Sequence, residues 1–391
     1  MDIRRLPLWE GRNATYLSND IFSALIEDQG EVVLDITSKS PSGARMNALS
    51  LPYFRATGSG VMSDENGSWW QGKQSLYQAG GAYFTFPSSD EEKVNSSSTY
   101  WLLRKYGTEE EKGGVWRLSE MKSREIGNRY RLRKADLVLP SHPVLYTAIQ
   151  IENTGDETLH LSPSWHSMLG SPLIETGSFI SSNAGFYVAY GLSKRETGVN
   201  RFLSGQVFDS LKHAPLVRGG VADAGFVPPP TGTYDYIIGK IPEKDPVGWV
   251  SVINPRIQMI YFSFSPRLSD DSILSFPNID LTENYCGRMD APWALFDGAT
   301  PQVRAVTAGF NTGPKGSENV SLEPGGKKTV LIGNAFMQYE NPRMGMGFYS
   351  SEFNGDGVVL KRTKSWLFIP LEHGFQTIRK LSDSLFSEES V

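Results

Sequence analysis

The chain has 391 residues, of which 39% are hydrophobic, enough apolar surface to build a sizeable core. Its net charge of −5 and lack of a dominant basic block argue against nucleic-acid binding. A single cysteine, Cys286, excludes an intrachain disulfide and favours a reducing, cytoplasmic setting, and no run reaches the ~18 apolar residues of a membrane helix.

From the N-terminus, MDIRRLPLWEG carries charge but no apolar stretch and does not read as a signal peptide. Strand signals then recur as short apolar or alternating runs bounded by Gly, Pro, Asn, Asp or Ser. They fall at Ile21–Ile26, Val32–Ile36, Val144–Glu152, Ile257–Phe264 and Thr329–Ala335. The nearly continuous run IQMIYFSF at Ile257–Phe264 predicts a strand buried on both faces. Residues Glu152–Glu157 read as a hairpin-type turn, after which Leu159–Trp165 resumes alternation. The basic run from Arg124 to Lys134 alternates as a solvated strand face would.

Two polar stretches, Pro87–Gly114 and Ala189–Gly232, read as insertions that form rims or covers. Helix signals are scarce. The best is His373–Phe386, where Phe375, Ile378, Leu381 and Leu385 form one apolar stripe, and a short helix on the sandwich edge is expected. Many turn-separated strands and few short helices predict an all-β fold, a large, twisted, mostly antiparallel β-sandwich. One sandwich domain over residues 1–391 is expected, with 340–391 as a C-terminal extension that carries the helix.

Dinucleotide, P-loop, serine-hydrolase and zinc-protease motifs are all missing from the sequence, and no metal site or cofactor is expected. His166, in SPSWHSMLGSP, ends a strand beside a Gly/Pro turn and an aromatic residue, Trp165. Imidazole titrates near neutrality and can lend and reclaim a proton, although a histidine satisfied by hydrogen bonds fits the same place. Its carboxylate partner is open among Asp290, Asp297, Asp235 and Glu283, and Asp290 is taken as the base. Trp293, Arg288 and Tyr285 have the composition of a sugar platform, in which an aromatic face meets a pyranose and charge holds its hydroxyls. Paired glycines Gly80–Gly81 suit a tight bend or a close approach of the backbone to a ligand.

Several segments, in order over roughly residues 20–340, resemble the galactose mutarotase-like superfamily, the aldose 1-epimerases and their relatives. These are Phe22–Asp35 with Arg45–Leu49, His142–Ile180, and Leu322–Gly325 followed by Thr329–Ile332. The resemblance implies a sugar cleft and exchange of anomers through ring opening, with His166 as the acid. It puts Asn311 where the family carries a glutamate base, and Ala79, next to Gln78, where it carries an earlier histidine. Glu318 and Asp290 are the alternative bases, and Asp235 matches the family's binding aspartate.

The expected function is that of a carbohydrate-active isomerase of aldose 1-epimerase type acting on a monosaccharide or sugar derivative. His166 and Asp290 would be catalytic. Arg45, Asn47, Gln78, Trp165, Asp235, Arg288, Trp293 and Asn311 would bind the sugar. The alternatives are a non-catalytic carbohydrate-binding protein, or another enzyme on the same frame, such as a lyase or an acidic-sugar enzyme in which Arg45, Arg55 and Arg288 meet a carboxylate or phosphate. The sequence leaves the oligomeric state open.

Overall fold

A computed structural model describes residues 1–9, 12–28, 30–39, 42–50, 80–85, 101–122, 130–191, 199–287, 304–313, 320–339, 350–354, 357–362, 365–370 and 373–387. Within them two large sheets carry the fold, and all their strand pairings are antiparallel.

The front sheet runs in spatial order Asp2–Trp9, Arg12–Ser18, Phe22–Glu27, Val33–Lys39, Ala82–Thr85, Ser164–Leu169, Arg304–Asn311, Asn278–Tyr285, Thr233–Lys240, Phe186–Tyr190 and Val207–Phe208. A short strand, Arg45–Asn47, also pairs with Val33–Lys39. The back sheet runs Phe179–Ser182, Val247–Asn254, Met259–Pro266, Lys327–Gln338, Val144–Asn153, Tyr130–Val138, Val115–Lys122 and Leu102–Thr108.

The main core lies between the sheets. Leu17, Ile26, Ile36, Trp165, Ile279 and Phe310 from the front meet Leu132, Ile149, Val252, Tyr261, Ile332 and Phe336 from the back. Alternation along a strand explains the division, because every second side chain of a front strand faces inward. A second apolar layer covers the other face of the back sheet. There Tyr146, Ala148, Phe262 and Phe264 pack with Val358, Leu360 and Ile369 of a three-stranded sheet and with Ile378, Leu385 and Phe386 of the C-terminal helix, Gly374–Ser387. The back sheet is therefore buried on both sides, as the run at Ile257–Phe264 predicts, and Met259–Pro266 is buried at every residue.

The helix does not sit on the sandwich edge. It lies against the back-sheet strands Val144–Asn153, Tyr130–Val138 and Lys327–Gln338, because their outward face is apolar and needs cover. Gly374 opens it: a Cβ there would come within 2.1 Å of the Tyr146 ring.

Three other expectations change. The strand after the Glu152–Glu157 turn does not fold back as a hairpin: Leu159–Leu161 pairs with Val320–Leu322, and after Pro163 the chain crosses to the front sheet as Ser164–Leu169. Asn153 drives this turn, accepting from the Gly155 N–H at 2.9 Å and donating to the Leu322 carbonyl at 2.8 Å. A quarter of the first supposed insertion is a regular back-sheet strand, Leu102–Thr108, paired with Val115–Lys122. The basic strand is not solvated. Arg133 meets Glu120, and Lys134 sits 3.1 Å from both Glu31 and Asp136, with both cations buried.

Lys134 belongs to a buried charge network that ties the two sheets. Arg117, fully buried on the back sheet, donates to Glu31 at 2.6 and 2.9 Å and to Asp28 at 3.2 Å. Asp28 and Glu31 stand in the loop between two front-sheet strands, so one guanidinium spans the sandwich. Removing one partner of a buried pair leaves an uncompensated charge in low dielectric, at a cost of about 3–5 kcal/mol. Arg117→Met is expected to lose that much stability in urea denaturation. A loss below about 1 kcal/mol would contradict the linking role.

Candidate functional site

The outward face of the front sheet is polar, and register fixes which side chains share it. Tyr83, His166, Gly309, Asp280 and Ile238 form one cross-strand row. Thr85, Ser164, Asn311, Asn278 and Lys240 form the next row on the same face, two residues along. Directly opposed residues in a sheet project to the same side, so these polar groups share one stretch of the sheet face, the floor of a candidate groove.

His166 is half-buried. It shares a hydrogen bond of 2.9 Å through Nε2 with Ser164 Oγ, and its ring centroid lies 5.5 Å from that of Tyr83. Ser164 is itself hydrogen-bonded to Thr85. Burial pushes the His166 imidazole below its usual value, while the charge of Asp280 opposes that shift. Burial, and after it the same carboxylate, raises the Tyr83 hydroxyl well above its usual value.

Asp280 stands two strands from His166, about 10 Å along the sheet. Between them Gly309 leaves the floor open. It must stay glycine, because a Cβ there would fall 1.8 Å from the Trp165 carbonyl oxygen. Asp280 is 3% exposed. Its Oδ2 accepts from Asn311 Nδ2 at 2.7 Å and from the Tyr236 hydroxyl at 3.4 Å, while its Oδ1 is buried without a hydrogen-bond partner. A buried carboxylate oxygen left without a donor is costly, and such an atom marks a place where a ligand hydroxyl is welcome.

Of the residues singled out in the sequence, the structure brings His166 and Asn311 together. Asn311 also accepts from Asn278 Nδ2 at 3.0 Å. Arg45 lies on the same sheet face farther along, donating to the Tyr16 hydroxyl at 3.0 Å and Ser23 Oγ at 3.3 Å. A bulge between Leu25 and Ile26 keeps that face continuous, since it aligns Ile26, Val33, Ala82 and Ser167 as one core-facing row. Asn47 is occupied by backbone: its Oδ1 accepts from the Ile36 and Leu49 N–H groups at 3.1 and 2.9 Å.

Three residues face the other way. Trp165 neighbours His166 in sequence, so the pleat turns it into the core, where it is fully buried and donates to Ser167 Oγ at 3.0 Å. It is no sugar platform. Asp235 is three residues from Ile238 on a regular strand and therefore lies on the core-facing side, where it binds Arg201 Nε at 2.6 Å. Tyr285 is likewise fully buried, beneath the Arg201 guanidinium. Gln78, Asp290, Arg288 and Trp293 lie outside the described residues, as do Arg55, Ala79, Asp297 and Glu318. Gly81 packs against the neighbouring strand: it adopts φ 74°, and a Cβ would lie 2.6 Å from the Val33 carbonyl oxygen. His160 is exposed and bound to Ser321, away from His166. Among the described residues no group of His, Cys, Asp and Glu could hold a metal ion, and no helix is long and apolar enough to cross a membrane.

Asp280, Tyr83 and Ser164 are the groove residues that the sequence reading missed. A signal for Asp280 existed: Asn278, Asp280, Thr282 and Asn284 are polar at every second position of one strand, the pattern of a polar face.

On the opposite side of the same strand, Glu283 is fully buried against Arg201 and shares it with Asp235. Burial, the dominant cause, together with the second carboxylate, pushes Glu283 up to about 8 despite the guanidinium. Its unfolded value is about 4.3, so between the two the native state holds a proton that the unfolded chain has released. The stability from this group is therefore present at low pH and is lost as pH rises through 8. Wild-type protein is expected to become easier to unfold in urea from pH 6 to pH 9. Glu283→Gln should flatten that trend, and an equal decline in both proteins would contradict it.

No protein-family model matches the chain, and no curated protein does. Solved structures do. A galactose mutarotase-like protein of Clostridium acetobutylicum superposes with a TM-score of 0.56 at 12% identity, covering 87% of this chain and 99% of that one. A candidate mutarotase of Salmonella typhimurium gives 0.55 at 9%, covering 86% and 94%. A candidate aldose 1-epimerase of Klebsiella pneumoniae subsp. pneumoniae gives 0.54 at 11%, covering 84% and 80%. The all-β sandwich of this chain is the galactose mutarotase-like fold.

Proposed function

We propose that the polar groove binds a sugar and that His166 and Asp280 exchange its anomers by acid–base catalysis. The observation that carries this reading is the buried Asp280 carboxylate, with one oxygen unpartnered, facing His166 across a glycine. The fold neighbours, described as galactose mutarotase-like and as a candidate aldose 1-epimerase, support sugar as the ligand class.

In this reading the anomeric hydroxyl sits on the free oxygen of Asp280, which takes its proton. His166 protonates the ring oxygen, and the bond between that oxygen and the anomeric carbon breaks to give the open-chain aldehyde. Rotation and closure with the protons returned give the other anomer, so no net proton, electron or cofactor is consumed. Asn311 fixes the carboxylate by donating to its other oxygen, and Ser164 orients the imidazole. Asp280 thus takes the base role first given to Asp290.

One feature favours binding without turnover: the position matched to the family's glutamate is the amide Asn311, which accepts no proton as a base. Anomer exchange followed by NMR with glucose, galactose and other common aldoses separates the two readings. A positioned acid or base contributes about 10²–10⁴-fold, so His166→Ala and Asp280→Asn are each expected to lower kcat/KM about 100-fold or more. Burial holds His166 below its usual value of about 6.5, so kcat/KM should fall as pH rises toward neutrality and the imidazolium is lost. Binding with no acceleration would favour the second reading, and neither binding nor acceleration would overturn both.

A further inference from the structure

The groove does not end at Asp280. Beyond it, the strands Thr233–Lys240 and Phe186–Tyr190 carry Tyr236, Tyr190, Val188 and Phe186 on the same face as His166, since Tyr190 pairs with Tyr236 and Phe186 with Lys240. Their neighbours Tyr187, Ala189 and Ile237 are buried in the core, which confirms the alternation. Phe186 is 43% exposed, Tyr190 and Tyr236 are half-buried, and the two tyrosine rings lie 5.7 Å apart. Large aromatic rings open to water on a sheet face call for an occupant.

Three observations select it. Tyr236 is shared between this patch and the acid–base pair, because its hydroxyl donates to Asp280 Oδ2 at 3.4 Å. The patch is mixed, with Lys240 and Thr282 on the same face among the rings, so hydroxyl partners alternate with apolar surface. From Asp280 to Tyr190 is two strand spacings across and two residues along, about 12 Å, which one further sugar ring spans. Amphipathic aromatic side chains stack on the apolar face of a pyranose while their polar tips meet its hydroxyls.

We propose that Tyr236, Tyr190 and Phe186 form a second subsite that binds another sugar ring, so that the ligand is a reducing disaccharide or longer saccharide with its reducing ring over His166 and Asp280. This inference rests on the sugar-binding reading above and specifies its substrate class.

The test compares affinities by calorimetry for glucose and galactose against maltose, cellobiose and lactose. At least one disaccharide is expected to bind about tenfold tighter than its monosaccharide. That ratio should fall toward one in Tyr190→Ala and again in Phe186→Ala, an exposed position at which folding is safe and checked by circular dichroism. Monosaccharide binding with no disaccharide advantage, or an advantage that survives both substitutions, overturns the subsite and leaves the sugar site standing. No binding of either class overturns both. A dimer that dissociates on Phe186→Ala, with no disaccharide advantage, assigns the patch to a second copy of the chain and overturns the proposal.

Discussion

His166 faces the groove because its two neighbours are held in the core. Trp165 and Ser167 both point between the sheets, where the side-chain Oδ1 of Asn334, on a back-sheet strand, accepts from Trp165 Nε1 at 3.3 Å and Ser167 Oγ at 3.5 Å. The same oxygen accepts from the Tyr261 hydroxyl at 2.7 Å and Ser263 Oγ at 3.0 Å. A one-residue slip of this strand would bury the imidazole and expose the indole, losing both the packing of a fully buried tryptophan and its hydrogen bond. Register is thereby set by a polar anchor inside an apolar layer, and the row from Tyr83 through His166 and Gly309 to Asp280 inherits it.

Buried charge is treated differently in three places. The Arg117 network joins the sheets with cations and carboxylates in direct contact, which favours one docking of front on back. Arg201 comes in from the loop before Phe202 and closes over Asp235 and Glu283, tying that loop to the core-facing side of the front sheet. Asp280 receives its protein hydrogen bonds from neutral donors, Asn311 and Tyr236, and keeps one buried oxygen without a hydrogen-bond partner. Carboxylates of the first two kinds are spent on structure. The third kind retains capacity for a ligand.

Much of the architecture was legible because burial writes itself into periodicity. Apolar runs located the strands around Ile26, Ile149, Phe262 and Ile332, and the stripe from Phe375 to Leu385 located the C-terminal helix. Pairing was less legible, since Val144–Asn153, Leu159–Leu161 and, just after Pro163, Ser164–Leu169 follow one another in sequence but join three different sheets. At the site, His166 and Asn311 were found through neighbouring motifs. Trp165 stands beside His166 in sequence, and Asp235 comes from the match to the family's binding aspartate, but the pleat sends odd and even positions to opposite faces and turns both into the core. Asp280 was overlooked among several carboxylates, although the comb of Asn278, Asp280, Thr282 and Asn284 marks it as facing solvent's side of the sheet. What a strand pattern cannot supply is the partner strand, and only the intervening Gly309 strand relates Asp280 to His166.

The coupling between those two side chains is open to direct measurement by NMR titration of the His166 imidazole in wild type and in Asp280→Asn. The imidazole is expected to titrate below about 6.5 in wild type, and lower still when the carboxylate charge is removed, since that charge is what opposes the effect of burial. A His166 titration at or above the usual value, or one that Asp280→Asn leaves unmoved, would contradict a shared site.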